Sequence, residues 1–341
     1  MIKDDADFVA GLPKAELHIH LEGALEPGLV RKLAARNGIV VPSAVTERSV
    51  GYDFHDLPSF LAVYYGCMGV LQTEDDFFDL CYSYLHKVHS QNVVHVEMFF
   101  DPQAHTRRGI AFSTVLGGYR RAIVTAQREL NISASLIMCF LRDLDPGWAM
   151  DTLTQALPYK PFIVGVGLDS DERDNPPSKF AAVFRRAREE GFFLTMHCDI
   201  DQKDSIEHIR QALQDIKVDR LDHGTNIVED GRLVDLVQEK RIGLTCCPIS
   251  NSVVTEDWKR VEIATLLKAN VLCTIASDDP ALFRGYMNEN LNKMLQDGSF
   301  SRADLVQLQR NAFHASWLSS HKRDHFLDLL EDYSKPLVRK Q

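Results

Sequence analysis

The 341-residue sequence predicts a TIM (β/α)8 barrel, and three observations lead there. Eight short runs rich in β-branched and apolar residues recur along it, at 15–23, 93–101, 133–142, 162–169, 193–200, 219–227, 243–250 and 271–279. Segments with helical apolar spacing lie between them, among them FSTVLGGYRRAIVTAQREL, SKFAAVFRRAREEG, DSIEHIRQALQDI and GRLVDLVQEKR. Such alternation implies parallel strands joined by right-handed crossovers. Finally, no GxGxxG follows the first run, so the alternative of an open doubly wound sheet lacks its usual fingerprint.

The first run, KAELHIHLEG, carries His18 and His20 two residues apart. Period-two alternation in a strand points both imidazoles to one side, which is how a strand presents two metal ligands. Packing or hydrogen bonding inside a core is the alternative for an isolated HxH. The next connection, 24–92, is too long for one crossover. It reads as a helical insertion laid over the barrel mouth, with the aromatic-rich FHDLPSFLAVYYGCMGVL able to exclude water. An ordinary core face would account equally for Phe60, Leu61, Tyr64 and Tyr65. After the eighth run, 288–341 reads as C-terminal helices, and the whole of 1–341 as one domain.

Composition bounds the partners. A formal net charge of −10 supplies no basic patch for phosphates, so nucleic acid and anionic membrane are not expected, and a small molecule is. Seven cysteines without a CxxC pair argue for reduced thiols. The acidic N-terminal stretch is unlike a signal peptide and no apolar run is long enough to span a bilayer, so a cytoplasmic protein is expected. The sequence leaves the oligomeric state open.

Catalytic groups of a TIM barrel sit at the C-terminal ends of strands. The fifth run there offers His197, the sixth Asp222 and His223, and the eighth Asp278 and Asp279. Taken singly, an aspartate at a strand end can instead cap the following helix. Together with His18 and His20, His197 and one aspartate form a donor set suited to a borderline divalent metal. Zinc is the default, with iron and manganese left open.

These residues carry a resemblance. PKAELHIHLEGALEP, VGLDSDERDNPPSKF, RLDHG and TIASDDPALF resemble, in the same order over about residues 11–290, the motifs of the adenosine and adenine deaminase family of the amidohydrolase superfamily. The resemblance implies one zinc held by His18, His20, His197 and Asp278. It implies that His223 orients or deprotonates the attacking water, that Asp279 contacts N7 of a purine, and that Asp169 of the LDS loop and the Gly167 backbone lie against the ring. The implied reaction is hydrolytic replacement of the C6 amine of an aminopurine, leaving a 6-oxopurine. The HxE and PCxxC signature of the cytidine deaminases is absent.

Two positions refine the expectation. Glu22 stands where family members acting on nucleosides resemble one another in having aspartate. Its extra methylene fills ribose space, so adenine or an N6-substituted adenine is favoured over adenosine; support of the metal strand is the other reading of this residue. Ile200 stands where the family's proton-donating glutamate is expected, in His197-Cys198-Asp199-Ile200. Loss of a positioned acid costs ~10² to 10⁴ in rate. Asp199 or Asp201 as a relocated acid, a different amino-heterocycle as substrate, or a purine-binding protein without turnover are the three resolutions. A hydrolase of a non-purine amide or ester remains the more distant reading.

Overall fold

A computed structural model of the chain describes residues 4–43, 45, 52, 54, 57–198, 203–255, 257–296 and 298–338. Eight parallel strands follow one another in sequence order around a nearly closed barrel. They are β1 Lys14–His20, β2 Val93–Phe100, β3 Ser133–Leu141, β4 Ile163–Asp169, β5 Phe193–Cys198, β6 Arg220–His223, β7 Gly243–Cys246 and β8 Leu272–Ile275. Each falls within, or one residue outside, a run expected from sequence. Several stop earlier than the runs do, for local reasons. Positive φ at His223 and Gly224 ends β6, and prolines at 248 and 280 open helices just past β7 and β8.

The barrel closes between β8 and β1 by backbone bonds beyond the end of β8. His20 N–H donates to Asp278 O at 2.9 Å and Asp278 N–H to His18 O at 3.1 Å, with Ile19 bridging Asp278. Closure therefore runs through the residues with metal-ligand character.

Helices form the outer ring. Helix Phe112–Leu130 matches the expected segment and packs against helix Glu74–Ser90, whose buried face is Phe77, Leu80, Tyr84, Leu85 and Val88. This differs from the expectation that all of 24–92 covers the mouth. Tyr84 OH donates to Glu16 of β1 at 2.5 Å, so Glu74–Ser90 belongs to the ring and acts as the crossover from β1 to β2. Helix Leu57–Met68 takes a different course. Tyr64 on it reaches Asp101, just past β2, and lies edge-on to His20. At the C-terminal end, helix Arg302–Ala315 completes the ring, with Gln309 accepting from Ala15 N–H and Asn311 donating to Cys273 O.

The end of the barrel opposite the mouth is packed shut. The Trp317 ring stacks on Phe193 and lies 4.1 Å under the Arg220 guanidinium, and the Trp317 backbone N–H donates to Glu97. Burial alone would raise the Glu97 carboxyl, but Arg220 and His95 outweigh it and hold it below its usual range. Among the described residues no helix is long and apolar enough to cross a membrane.

Lys14 is fully buried beneath the first strand, donating to Leu12 O and Gln91 O. Burial lowers its pKa from 10.5 to about 7. Between those values the unfolded chain holds one more proton than the folded one, so this group makes stability rise with pH, by at most ~1.4 kcal/mol per unit. Lys14→Met should flatten the stability profile from pH 7 to pH 10, as read by urea unfolding; an unchanged slope would contradict the assignment.

Candidate metal and active site

At the mouth, His18 and His20 at the end of β1, His197 on β5 and Asp278 after β8 offer ligand atoms that all lie within 4.8 Å of one another. His197 Nε2 is 3.0 Å from His20 Nε2 and 3.1 Å from His18 Nε2, and His18 Nε2 is 3.1 Å from Asp278 Oδ1. All four residues are buried.

Their partners assign the tautomers. Leu168 O can only accept, so His197 carries its proton on Nδ1, donating at 3.1 Å. Thr245 spends its hydroxyl proton on Asp222 at 3.0 Å and therefore accepts from His18 Nδ1–H at 2.8 Å. Thr195 gives Asp222 a second hydrogen bond, at 2.7 Å. With each Nδ1 taken by its own partner, the two Nε2 atoms face each other at 3.1 Å beside Asp278 Oδ1, an arrangement that suits a cation shared between them. Burial first, then the imidazoles of His18, His20 and His223, keep the His197 ring well below the usual histidine range, and burial lowers His20. Neutral imidazoles beside a carboxylate are the donor set of a divalent metal. Burial would push the Asp278 carboxyl up, but His18, His223 and His20 hold it well below its ordinary value. Ser250 Oγ donates to its Oδ2 at 2.6 Å, and His223 Nε2 stands 3.9 Å from that same oxygen. Asp278 and His223 both adopt positive φ, +65° and +55°, a region that costs non-glycine residues free energy and that recurs at functional sites.

Around this cluster stands a group of buried carboxyls. Asp279 has Oδ1 without a partner, and burial, then Asp278 and Asp101, raise it well above the usual range. Gly23 gives it room, since a Cβ there would overlap the Asp279 carboxyl. Asp169, ending β4, has both oxygens unpartnered and lies 3.6 Å from His20 Nδ1. Glu22 follows the first strand. Arg108 donates to His105 Nδ1, so His105 donates from Nε2 to Glu22 Oε1 at 2.8 Å, joined by Tyr119 OH at 2.9 Å. Burial lowers His105 to about 3 and raises Glu22, while Glu22 Oε2 keeps no partner.

Of the residues expected from sequence, His18, His20, His197, Asp278, His223, Asp279, Asp169 and Glu22 come together here. Gly167 lies inside β4, where a Cβ would meet Cys139 Sγ at 2.5 Å, deeper in the barrel than Asp169. Asp199, Ile200 and Asp201 lie outside the described residues. Sequence reasoning missed Asp101, which accepts from Tyr64 OH at 3.1 Å, and Ser170, whose hydroxyl pairs with Tyr65 OH at 2.8 Å. The strand-end rule applied to the fifth, sixth and eighth strands would have found Asp101 at the end of the second. The adjacent thiols of Cys246 and Cys247 are buried and pushed well above their usual pKa, so they stay protonated.

Thr245→Val leaves the His18 Nδ1–H without an acceptor and frees that ring to flip its tautomer. A loss of ~10- to 100-fold in divalent-metal affinity is expected, measured by chelator competition; unaltered affinity would refute the tautomer assignment.

Comparison with known proteins agrees with this geometry. The adenosine deaminase family model matches residues 13–333. An uncharacterised deaminase of Schizosaccharomyces pombe is 50% identical over 329 residues, covering 96% of this chain and 97% of that protein. An adenine deaminase of Acinetobacter baylyi is 44% identical over 328 residues, with 95% and 98% covered. The crystal structure of an adenine deaminase from Arthrobacter aurescens superposes with a TM-score of 0.90 at 37% identity, over 95% of this chain and 99% of that one. The chain belongs to the adenosine deaminase family, and is a hydrolytic deaminase on an amidohydrolase-type barrel.

Proposed function

We propose that the protein deaminates a 6-aminopurine taken as the free base, adenine or an N6-substituted adenine ahead of adenosine, with zinc as its metal. The observation that carries this reading is Glu22, whose Oε1 is occupied by His105 and Tyr119 while its buried Oε2 has no partner. A carboxyl locked in place with one free oxygen suits an edge of the bare purine, and its bulk stands where a sugar would attach. Similarity to adenine deaminases supports the same choice.

His18, His20, His197 and Asp278 would hold the zinc, whose chemistry is to lower the pKa of a water toward ~7. His223, beside Asp278 Oδ2, takes a proton from the attacking water, and Ser250 keeps that Asp278 oxygen in place. Asp279, whose carboxyl burial and the neighbouring Asp278 and Asp101 push up, donates to the N7 lone pair. Asp169 and Asp101 offer further free oxygens to ring N–H groups. Asp199 serves as the acid toward the ring, in place of the glutamate that Ile200 displaces. Helix Leu57–Met68 covers the mouth, tied down through Tyr64 to Asp101 and Tyr65 to Ser170, and excludes water from the reacting centre. Ammonia or an amine leaves and a 6-oxopurine remains. Ile200 also favours a second reading, in which the same site deaminates a different amino-heterocycle that needs no acid at that position.

The test is turnover by zinc-loaded protein on adenine, N6-alkyladenines, adenosine and aminopterins, followed by ultraviolet absorbance and amine release. Adenine or an N6-alkyladenine is expected to exceed adenosine in kcat/KM, and Glu22→Asp to narrow that ratio. A preference for a pterin would establish the second reading, and silence across the panel with zinc bound would leave a purine-binding protein. Separately, His223→Asn should lower kcat by ~10² to 10⁴ with zinc retained, and Asp199→Asn should abolish turnover with zinc retained.

A further inference from the structure

The barrel wall is weakest where His197 stands. β4 and β5 are paired at only two positions, Gly165 with Phe193 and Val166 with Leu194, both far from the mouth. On either side the ladders reach the strand tips, β3 to β4 as far as Leu141 with Asp169, and β5 to β6 as far as Cys198 with His223. Toward the mouth, His197 therefore has no backbone pairing to β4, and its direct bond to that strand is from its own ring, Nδ1 to Leu168 O at 3.1 Å.

Arg142, one residue past β3, spans that gap. It is fully buried. Its Nη1 donates to the carbonyl of His197 itself at 2.8 Å, its Nε to Asn175 O at 3.0 Å, and its backbone N–H to Asp169 O at 3.0 Å. Nη2 faces Glu172 Oε1 at 3.7 Å, and that oxygen also takes His208 Nδ1 at 2.6 Å. One residue thus joins the tips of β3, β4 and β5 and the loop after β4. Burying a cation costs several kcal/mol unless partners compensate. A planar guanidinium can bond two carbonyls from fixed directions with a carboxylate close by, and a lysine ammonium cannot hold that geometry.

We propose that Arg142 is a positioning residue for the metal site, extending the short β4–β5 ladder toward the mouth by clamping the His197 carbonyl, so that the ring held by Leu168 O keeps its Nε2 aimed at the shared cation position. This inference rests on the metal reading of the site and is independent of the substrate.

The test uses the full chain as wild type, Arg142→Lys and Arg142→Gln, freed of metal and titrated with zinc against a chromophoric chelator, with melting of each metal-free protein recorded alongside. Wild type should bind one zinc per chain. Arg142→Gln should bind ~10- to 100-fold more weakly, and Arg142→Lys, which keeps the charge but not the planar fork of donors, should recover part of that loss. Zinc affinity equal to wild type in both variants, whatever their melting temperatures, would overturn the proposal and reduce Arg142 to a packing role. If Arg142→Gln does not fold, Arg142→Lys decides alone: tenfold weaker binding supports the clamp and unchanged binding overturns it. Failure of wild type to bind zinc would instead remove the metal reading, and the clamp with it.

Discussion

Two imidazole lone pairs facing each other at 3.1 Å, a third imidazole nitrogen 3.0 Å away and a carboxylate oxygen beside them are the constraint on which this molecule turns. In water such groups would separate or take up protons. Here burial disfavours protonation of His20 and His197, and hydroxyl and carbonyl partners fix the rings of His18 and His197. The backbone prevents their separation, because the bonds that close the barrel between β1 and β8 are made by His18, His20 and Asp278. The bonds that close the barrel thus hold three of the four candidate ligands, and His197 joins them from β5. The positive φ values at His223 and Asp278 persist because the surrounding strands over-determine them.

The barrel interior divides into a packed end and a reactive end. Trp317, Phe193 and the Arg220–Glu97 pair fill the bottom, where a buried cation and a buried anion meet directly. At the top, Glu22, Asp101, Asp169 and Asp279 crowd together with only the imidazoles of His105 and His20 beside them among the described residues, and each keeps at least one oxygen without a hydrogen bond. Burial raises all four, and repulsion from neighbouring carboxyls adds to it at Asp101, Asp169 and Asp279, which disfavours four simultaneous charges.

The supporting residues extend the same logic outward. Thr245 and Thr195 converge on Asp222, Ser250 bonds Asp278, and Arg142 crosses the open seam to His197. Each leaves a metal-site residue with fewer orientations, and preorganisation of this kind is what lets a site act without reorganising during the reaction.

The strands were legible in the sequence because a parallel sheet buried on both faces needs continuous β-branched and apolar runs, and little else in a soluble chain has that pattern. The metal and catalytic residues were legible for a related reason. A histidine or aspartate placed at the end of such a run has no packing advantage there, so His18, His20, His197, His223 and Asp278 stood out. Only the tertiary structure decided what touches what across the barrel. Asp222 finds Thr195 from 27 residues away, His197 meets the Arg142 guanidinium from 55, and Glu22 meets His105 from 83. Neither composition nor periodicity encodes such pairings. Helix Glu74–Ser90 makes the same point, since its apolar face would read alike over the mouth or in the ring, and its packing on helix Phe112–Leu130 and the bond from Tyr84 to Glu16 place it in the ring. Periodicity reports which side of an element is buried, whereas the identity of the surface that buries it is a property of the folded chain.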